Sequence, residues 1–343
     1  MEGLLTPTQL VLRVSVALLL LLALGMVCSL VGTESVSWQR ALTGEPGAEG
    51  RNMDYDILMT IRLPRVLLAM IVGGALAMSG VVFQGLLRNP LAEPYILGVS
   101  SGAGLGAILA VLMGFSWTVW GRSPMAVYAF VGAIGTVWLV SVIGRYTGKH
   151  HITGLLLAGV VVNAFFSAMI MFLTTIANSN QVHATIFWLM GNMQEESPLV
   201  LWSAAGCVGA GLVALCFLAP KLNAISFSDE DARSLGVDVA KVRWFAFAIA
   251  AWVTAIAVSL SGLVGFVGLV VPHAVRLVFG ADHRQLLPLS AVVGAMFLLV
   301  ADTLARVVVQ PAQIPVGVVT ALIGGPVFVL LLIRQSQRVG TLA

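Results

Sequence analysis

The stretch "RLPRVLLAMIVGGALAMSGVVFQGLLRNP", Arg62 to Pro90, holds no charged side chain between Arg65 and Arg88. A helix needs about 20 mostly apolar residues to cross the hydrocarbon layer, so this run predicts a transmembrane helix over 63–84. Pro64 suits the first turn, where its missing N–H costs nothing. The cluster "VGGALAMSG" supplies small residues, which let membrane helices approach closely where packing replaces the hydrophobic drive. Arg62 and Arg65 open the run. Two uses stay open for them on charge alone: snorkelling to mark the membrane boundary, or a cationic contact for an acidic partner outside.

Outward from this stretch the pattern repeats. The chain has 343 residues, 59% hydrophobic and 10% charged, where soluble domains run at roughly 45–50% apolar and about 25% charged. Such a composition cannot cover a water-facing surface. Apolar segments over 10–31, 63–84, 94–113, 125–145, 152–176, 199–219, 243–261, 265–281, 286–306 and 317–334 predict about ten spans in one transmembrane domain covering 1–343, with no room for a large extramembrane domain. The first run is too long for a signal-peptide core and lacks a small-x-small cleavage site, so it reads as a retained span. Lys and Arg collect on the cytoplasmic side. With both termini inside, 12 of the 18 face inward, leaving Arg40, Arg51, Arg62, Arg65, Arg122 and Arg306 outside.

Several chemistries are excluded or disfavoured. No G-x-x-x-x-G-K-[ST] occurs, so the chain does not hydrolyse ATP by that route. Cys28, Cys207 and Cys216 form no CxxC pair and read as small buried hydrophobes. His150, His151, His183, His273 and His283 share no metal-binding spacing. Glu195 and Glu196 read as a solvated loop. Asp302 and Arg306, at i and i+4, read as a local pair that lowers the cost of ionisable groups at depth. A proton relay is the sharper alternative, but it calls for a second buried acid, and none stands out within a span. An echo between "SGVVFQGLLRNP" (Ser79–Pro90) and "SGLVGFVGLVVP" (Ser261–Pro272) is the kind of trace an inverted duplication leaves.

The charged island "SFSDEDARSLGVDVAKVR", Ser226 to Arg243, interrupts this apolarity. It predicts one or two short helices: Ser228 as cap, Asp229, Glu230 and Asp231 in a first turn favoured by the helix dipole, and Gly236 as C-cap. Ala232, Leu235 and Val239 would add a small apolar face. A mere connector needs about five residues; a structured loop four times longer fits a docking surface for a soluble partner.

Arg62–Ala107 closely resembles the signature of the iron-chelate and cobalamin permeases of binding-protein-dependent ABC importers. "LLLAGV" (Leu155–Val160), "WLMG" (Trp188–Gly191), "DEDARSLGV" (Asp229–Val237), "GFVGLVVPHAVRLVFGADHRQLLP" (Gly265–Pro288) and "IPVGVVTALIGGPVFVLLL" (Ile314–Leu332) continue the match in order. The resemblance implies an all-α polytopic membrane protein of about ten transmembrane helices with both termini cytoplasmic, a BtuC-like type II importer permease. Its family core covers 62–334 and its cytoplasmic coupling loop 221–242.

The resemblance further implies a homodimer, or a pseudo-dimer with a similar partner subunit, in the bacterial cytoplasmic (inner) membrane. Two ATPase subunits would carry the ATP and Mg, so this chain would be no enzyme and hold no cofactor. A periplasmic or lipoprotein binding protein would deliver the cargo, with no nucleic acid involved. Ser228, Asp229, Glu230, Asp231, Ala232, Arg233, Leu235 and Gly236 match the ATPase-coupling helices. Arg62, Arg65 and Arg306 match the arginines that meet acidic residues of the binding protein, which reverses the snorkelling reading. His151, Ile152 and Thr153 match the cytoplasmic gate, where Ile152 stands in place of a small hydroxyl residue, an apolar group that could still exclude water. The cargo implied is a large metal chelate: a ferric siderophore first, cobalamin or haem as alternatives. A secondary transporter working without an ATPase is the alternative of another class.

Overall fold

Each of the predicted apolar segments folds as a helix. The computed structural model describes residues 6–32, 34–44, 52–114, 123–146, 151–193, 196–310 and 312–340, and Arg51, Arg122, His150 and Glu195 lie outside them. In chain order the helices are α1 (Pro7–Leu30), α2 (Trp38–Thr43), α3 (Met53–Asp56), α4 (Leu63–Leu87), α5 (Val99–Leu112), α6 (Pro124–Tyr146), α7 (His151–Ile176), α8 (Ser179–Leu189), α9 (Pro198–Phe227), α10 (Asp229–Ser234), α11 (Val239–Ser261), α12 (Val267–Phe279), α13 (His283–Val307) and α14 (Val316–Gly340). A π-helical segment, Ile57–Arg62, joins α3 to α4, and a 3₁₀ turn, Pro94–Leu97, precedes α5. Helices satisfy their own backbone polar groups, which lipid cannot do. Among the described residues seven helical runs are long and apolar enough to cross a membrane; α5, α12 and Val316–Leu331 of α14 are shorter apolar helices.

Helix α4 is the central post. In the most apolar stretch of the run Met53–Leu87, which contains it, 83% of the residues are buried, against 11% in that of α1, and α4 packs against α13, α11, α12 and α9. The small residues of "VGGALAMSG" make this possible. A methyl group on Gly80 would lie 1.9 Å from the Gly268 carbonyl oxygen of α12, and one on Gly73 2.3 Å from that of Gly294 on α13. Backbones meet where side chains would hold them apart. The outward faces of α1, α7 and α9 carry exposed Leu19, Leu22, Phe165, Phe172, Trp202 and Phe217, as surfaces toward lipid require. The three cysteines are free, and only Cys28 is fully buried.

Two expectations are corrected. The segments Ser79–Pro90 and Ser261–Pro272 do not share a conformation: Ser79 and Gly80 continue within α4, whereas α11 ends at Ser261 and the chain breaks before α12. Ala232, Leu235 and Val239 do not form one apolar face, because Ala232 and Val239 are buried and only Leu235 is exposed.

Candidate functional site

The polar residues gather at the two ends of the bundle. At one end, α1 stops at Leu30 and leaves its last carbonyls without helical partners. Two arginines supply them. Arg62 donates from Nη1 to the carbonyls of Ser29 (3.1 Å) and Leu30 (2.7 Å), and from Nη2 to that of Glu34. Arg306 donates from Nη1 to Val31 O (3.0 Å) and from Nη2 to Cys28 O (3.4 Å). Cations at a helix C-terminus also meet the negative end of its dipole. Beside Arg306 lies Asp302, with no exposed surface. It accepts from Arg306 Nε at 3.1 Å and from Arg65 Nε at 3.0 Å. Arg65 reaches on to Gln313 Oε1 at 3.0 Å.

The i, i+4 pair read from the sequence is therefore two members of a three-residue cluster, with Arg65 the third. Neither Arg62 nor Arg306 snorkels, since both are buried. Arg65 is half-buried and lies at the edge of the cluster. Nothing in the local sequence identifies the α1 carbonyls as the partners, because they lie about thirty residues from Arg62 and far further from Arg306.

At the other end stands α10. Ser228 Oγ accepts from the Asp231 N–H at 2.9 Å, the expected cap, with three acids in the first turn. Gly236 has φ +78°, and Val237 donates back to Ala232 O at 3.0 Å, closing the helix in the Schellman manner. Asp229 fastens this helix to its neighbours. Arg243 grips it through two bonds, Nη1 to Oδ2 (2.9 Å) and Nη2 to Oδ1 (2.7 Å), and Arg88 adds a third to Oδ1. Burial pushes the Asp229 carboxyl up, but the bonds and charge of Arg243 and Arg88 outweigh it and leave the group below the usual carboxylate range. Arg88 also donates to Ile225 O at 2.6 Å.

Glu230, Asp231, Arg233, Leu235 and Gly236 stay exposed around the buried Ala232. Phe227, 84% exposed immediately before the cap, was not anticipated. A large aromatic beside the "SDED" turn, at the end of an apolar run, is the signal that marks it.

Near α10, Asn223 of α9 holds the turn between α12 and α13. It donates to Asp282 Oδ1 at 2.7 Å and accepts from the His283 N–H at 2.8 Å. Burial raises the Asp282 carboxyl, yet bonds from Arg284 and Asn223 bring it down to about 2. His151, Ile152 and Thr153 form the first turn of α7; their side chains lie outside the described residues. Among those residues no group of three or more His, Cys, Asp or Glu is placed to hold a metal ion.

The model of the FecCD transport family matches residues 18–334. The hemin transport system permease protein HmuU of Yersinia pestis is 41% identical over 293 residues, 83% of this chain and 85% of that protein. The cobalamin import system permease protein BtuC of Halobacterium salinarum is 44% identical over 282 residues, 82% of this chain and 74% of its own length. A Helicobacter pylori (strain J99) permease named for iron chelatin transport is 37% identical over 318 residues, 91% of this chain and 95% of its own. A solved inward-facing ABC transporter of metal-chelate type superposes with a TM-score of 0.82 at 32% identity, covering 94% of this chain and 98% of that one.

Proposed function

The chain belongs to the FecCD transport family, as a multipass permease subunit of an ABC importer for a metal chelate, and on that premise we propose how its two polar ends divide the work. The α10 end is cytoplasmic and receives the ATPase subunits. The Arg65 end is external and receives the binding protein. Ten crossings with both termini inside place α10 and the α12–α13 turn on one side, and the α1 end with Asp302 on the other. The whole of 1–343 is one transmembrane domain, with α10 its protruding knob.

The observation that carries this reading is α10 itself: a capped six-residue helix, rigidly fixed through Asp229, with exposed Glu230, Asp231, Arg233, Leu235 and nearby Phe227. A solvated connector has no need of a bidentate anchor or an exposed aromatic. Coupling residues are then Ser228 to Arg233 with Leu235 and Gly236; Asp229 and Ala232 hold the helix while the exposed residues meet the ATPase. For docking, Arg65 offers the accessible edge, and Arg62 and Arg306 fix the surface from beneath. His151, Ile152 and Thr153, at the start of α7, form the cytoplasmic gate. Nucleotide binding on two ATPases biases a homodimer between outward-open and inward-open packings.

The cargo we propose is a ferric siderophore. Relatives named for haemin, cobalamin and iron chelatin keep haem and cobalamin as competing cargoes. Proteoliposomes holding the permease, its ATPase and its binding protein should accumulate iron-55 as a hydroxamate or catecholate chelate. Accumulation of cyanocobalamin or haemin in its place would overturn that choice of cargo and leave the importer reading standing.

A further inference from the structure

Helix α12 has 13 residues, about 20 Å at 1.5 Å per residue, too short for a layer about 30 Å thick. One end therefore lies at depth. That end is its N-terminus, packed on Leu76 and Gly80 of α4, about 10–17 Å from the Arg88 end of that helix. The preceding residues, Gly262 to Phe266, are not helical; Gly262 has φ +66° and Phe266, unusually for a side chain of its size, φ +68°. Exposed backbone polar groups cannot be left in the apolar layer, and here two side chains from the α4–α5 connection meet them. Glu93 Oε1 accepts from the Phe266 N–H at 2.7 Å, and the Tyr95 hydroxyl both accepts from Val264 N–H and donates to Val264 O. The Phe266 ring lies against Gly324 of α14, where a methyl group would be 2.5 Å from its Cβ.

The other end of α12 is fixed just as specifically. Asn223 ties the α12–α13 turn to α9, and α9 runs straight into Phe227 and the cap of α10. Helix α12 thus joins the α10 end of the bundle to a clasped break inside the membrane, one continuous helix, with Pro272 in its second turn, between two fixed points. We infer that α12 is the lever that carries displacement of the coupling helix into the membrane, and that Glu93 and Tyr95 are positioning residues holding its pivot. The inference rests on the proposed coupling role of α10. Neither residue touches cargo in this account; each acts through the backbone of Val264 and Phe266. Glu93, half-buried, stands in a connection outside every apolar run, so no hydropathy signal marks it.

The test uses the full-length permease assembled with its ATPase in nanodiscs, with nitroxides at Val278 on α12 and Trp138 on α6, both exposed. Trapping ATP with vanadate should shift the distance distribution between them. Tyr95→Phe and Glu93→Ala should each lose at least half of that shift, while Glu93→Gln, whose amide oxygen still accepts from Phe266, keeps it. Where Glu93→Ala does not assemble, Tyr95→Phe, which removes a single oxygen, carries the test. Amide exchange at Val264 should also quicken at least tenfold in Tyr95→Phe, with α4 unaffected. A full shift in Tyr95→Phe, a Glu93→Gln complex that loses its shift, or no shift in the unsubstituted complex would overturn the lever. A permease that binds no ATPase would instead overturn the coupling role beneath it.

Discussion

Asp302 is the side chain on which the Arg306 end of the bundle turns. It is wholly buried, between Arg65 and Arg306, and through Arg306 it reaches the last carbonyls of α1. Removing one member of a buried ion pair costs about 3–5 kcal/mol, because the charge left behind has no partner. Asp302→Ala should therefore lower the thermal midpoint of the purified permease and speed amide exchange over residues 28–32, while the α10 end keeps its protection. Unchanged exchange at the α1 terminus would show that Asp302 does not control it. Lysine cannot reproduce the fork of Arg306, so Arg306→Lys should loosen the same carbonyls.

At the far end, Asp282 illustrates a pH dependence with a definite sign. Its carboxyl is held at about 2 by Arg284 and Asn223. A depressed carboxylate contributes stability that is complete above its unfolded value near 4 and is lost as pH falls through the folded value. Melting of the permease should thus gain nothing from Asp282 between pH 5 and 8 and lose its contribution between about pH 4 and 2. An Asp282→Asn variant should flatten that acid limb; an identical acid limb in the variant would refute the assignment.

Among the elements, the long helices were legible from their apolar runs alone, because only a lipid solvent tolerates such composition. The charged helix α10 was legible too, through Ser228, the three acids and Gly236. Other elements were not. Helix α8 follows a capping box, Asn178 with Gln181, a signal that was present in the sequence but masked by its mixed polarity. The break at Gly262–Phe266 left no such trace: its residues are as apolar as the helices on either side, and two glycines among 36 carry little information. Arg62 and Arg306 were read for their charge, yet their partners are backbone carbonyls, which every residue has and no sequence distinguishes. Close packing of α4 gives a direct test. Gly80→Ala drives a methyl into α12 and should destabilise by about 1–3 kcal/mol or more. Gly206→Ala on α9 meets open space and should be neutral or stabilising by up to about 1 kcal/mol. Similar melting of the two variants would contradict the packing described for α4.

The molecule as a whole is an apolar bundle with one polar cluster at each end, and α4 and α13 run between them. Charge that would be costly in the middle is confined to places where partners fix it. In the proposed function the α10 surface is the entry point for work done elsewhere. Charge reversal at Glu230, Asp231 and Arg233, which are exposed and not part of the Asp229 anchor, should weaken ATPase binding at least tenfold without changing the melting of the permease alone. Full affinity would remove α10 from the interface. The most direct measurement of the central claim is chelate accumulation in proteoliposomes with and without the ATPase subunits, at a fixed external concentration. The account predicts uphill accumulation only when ATP is hydrolysed on those subunits, unaffected by a protonophore. Accumulation against a gradient by the permease alone would contradict it.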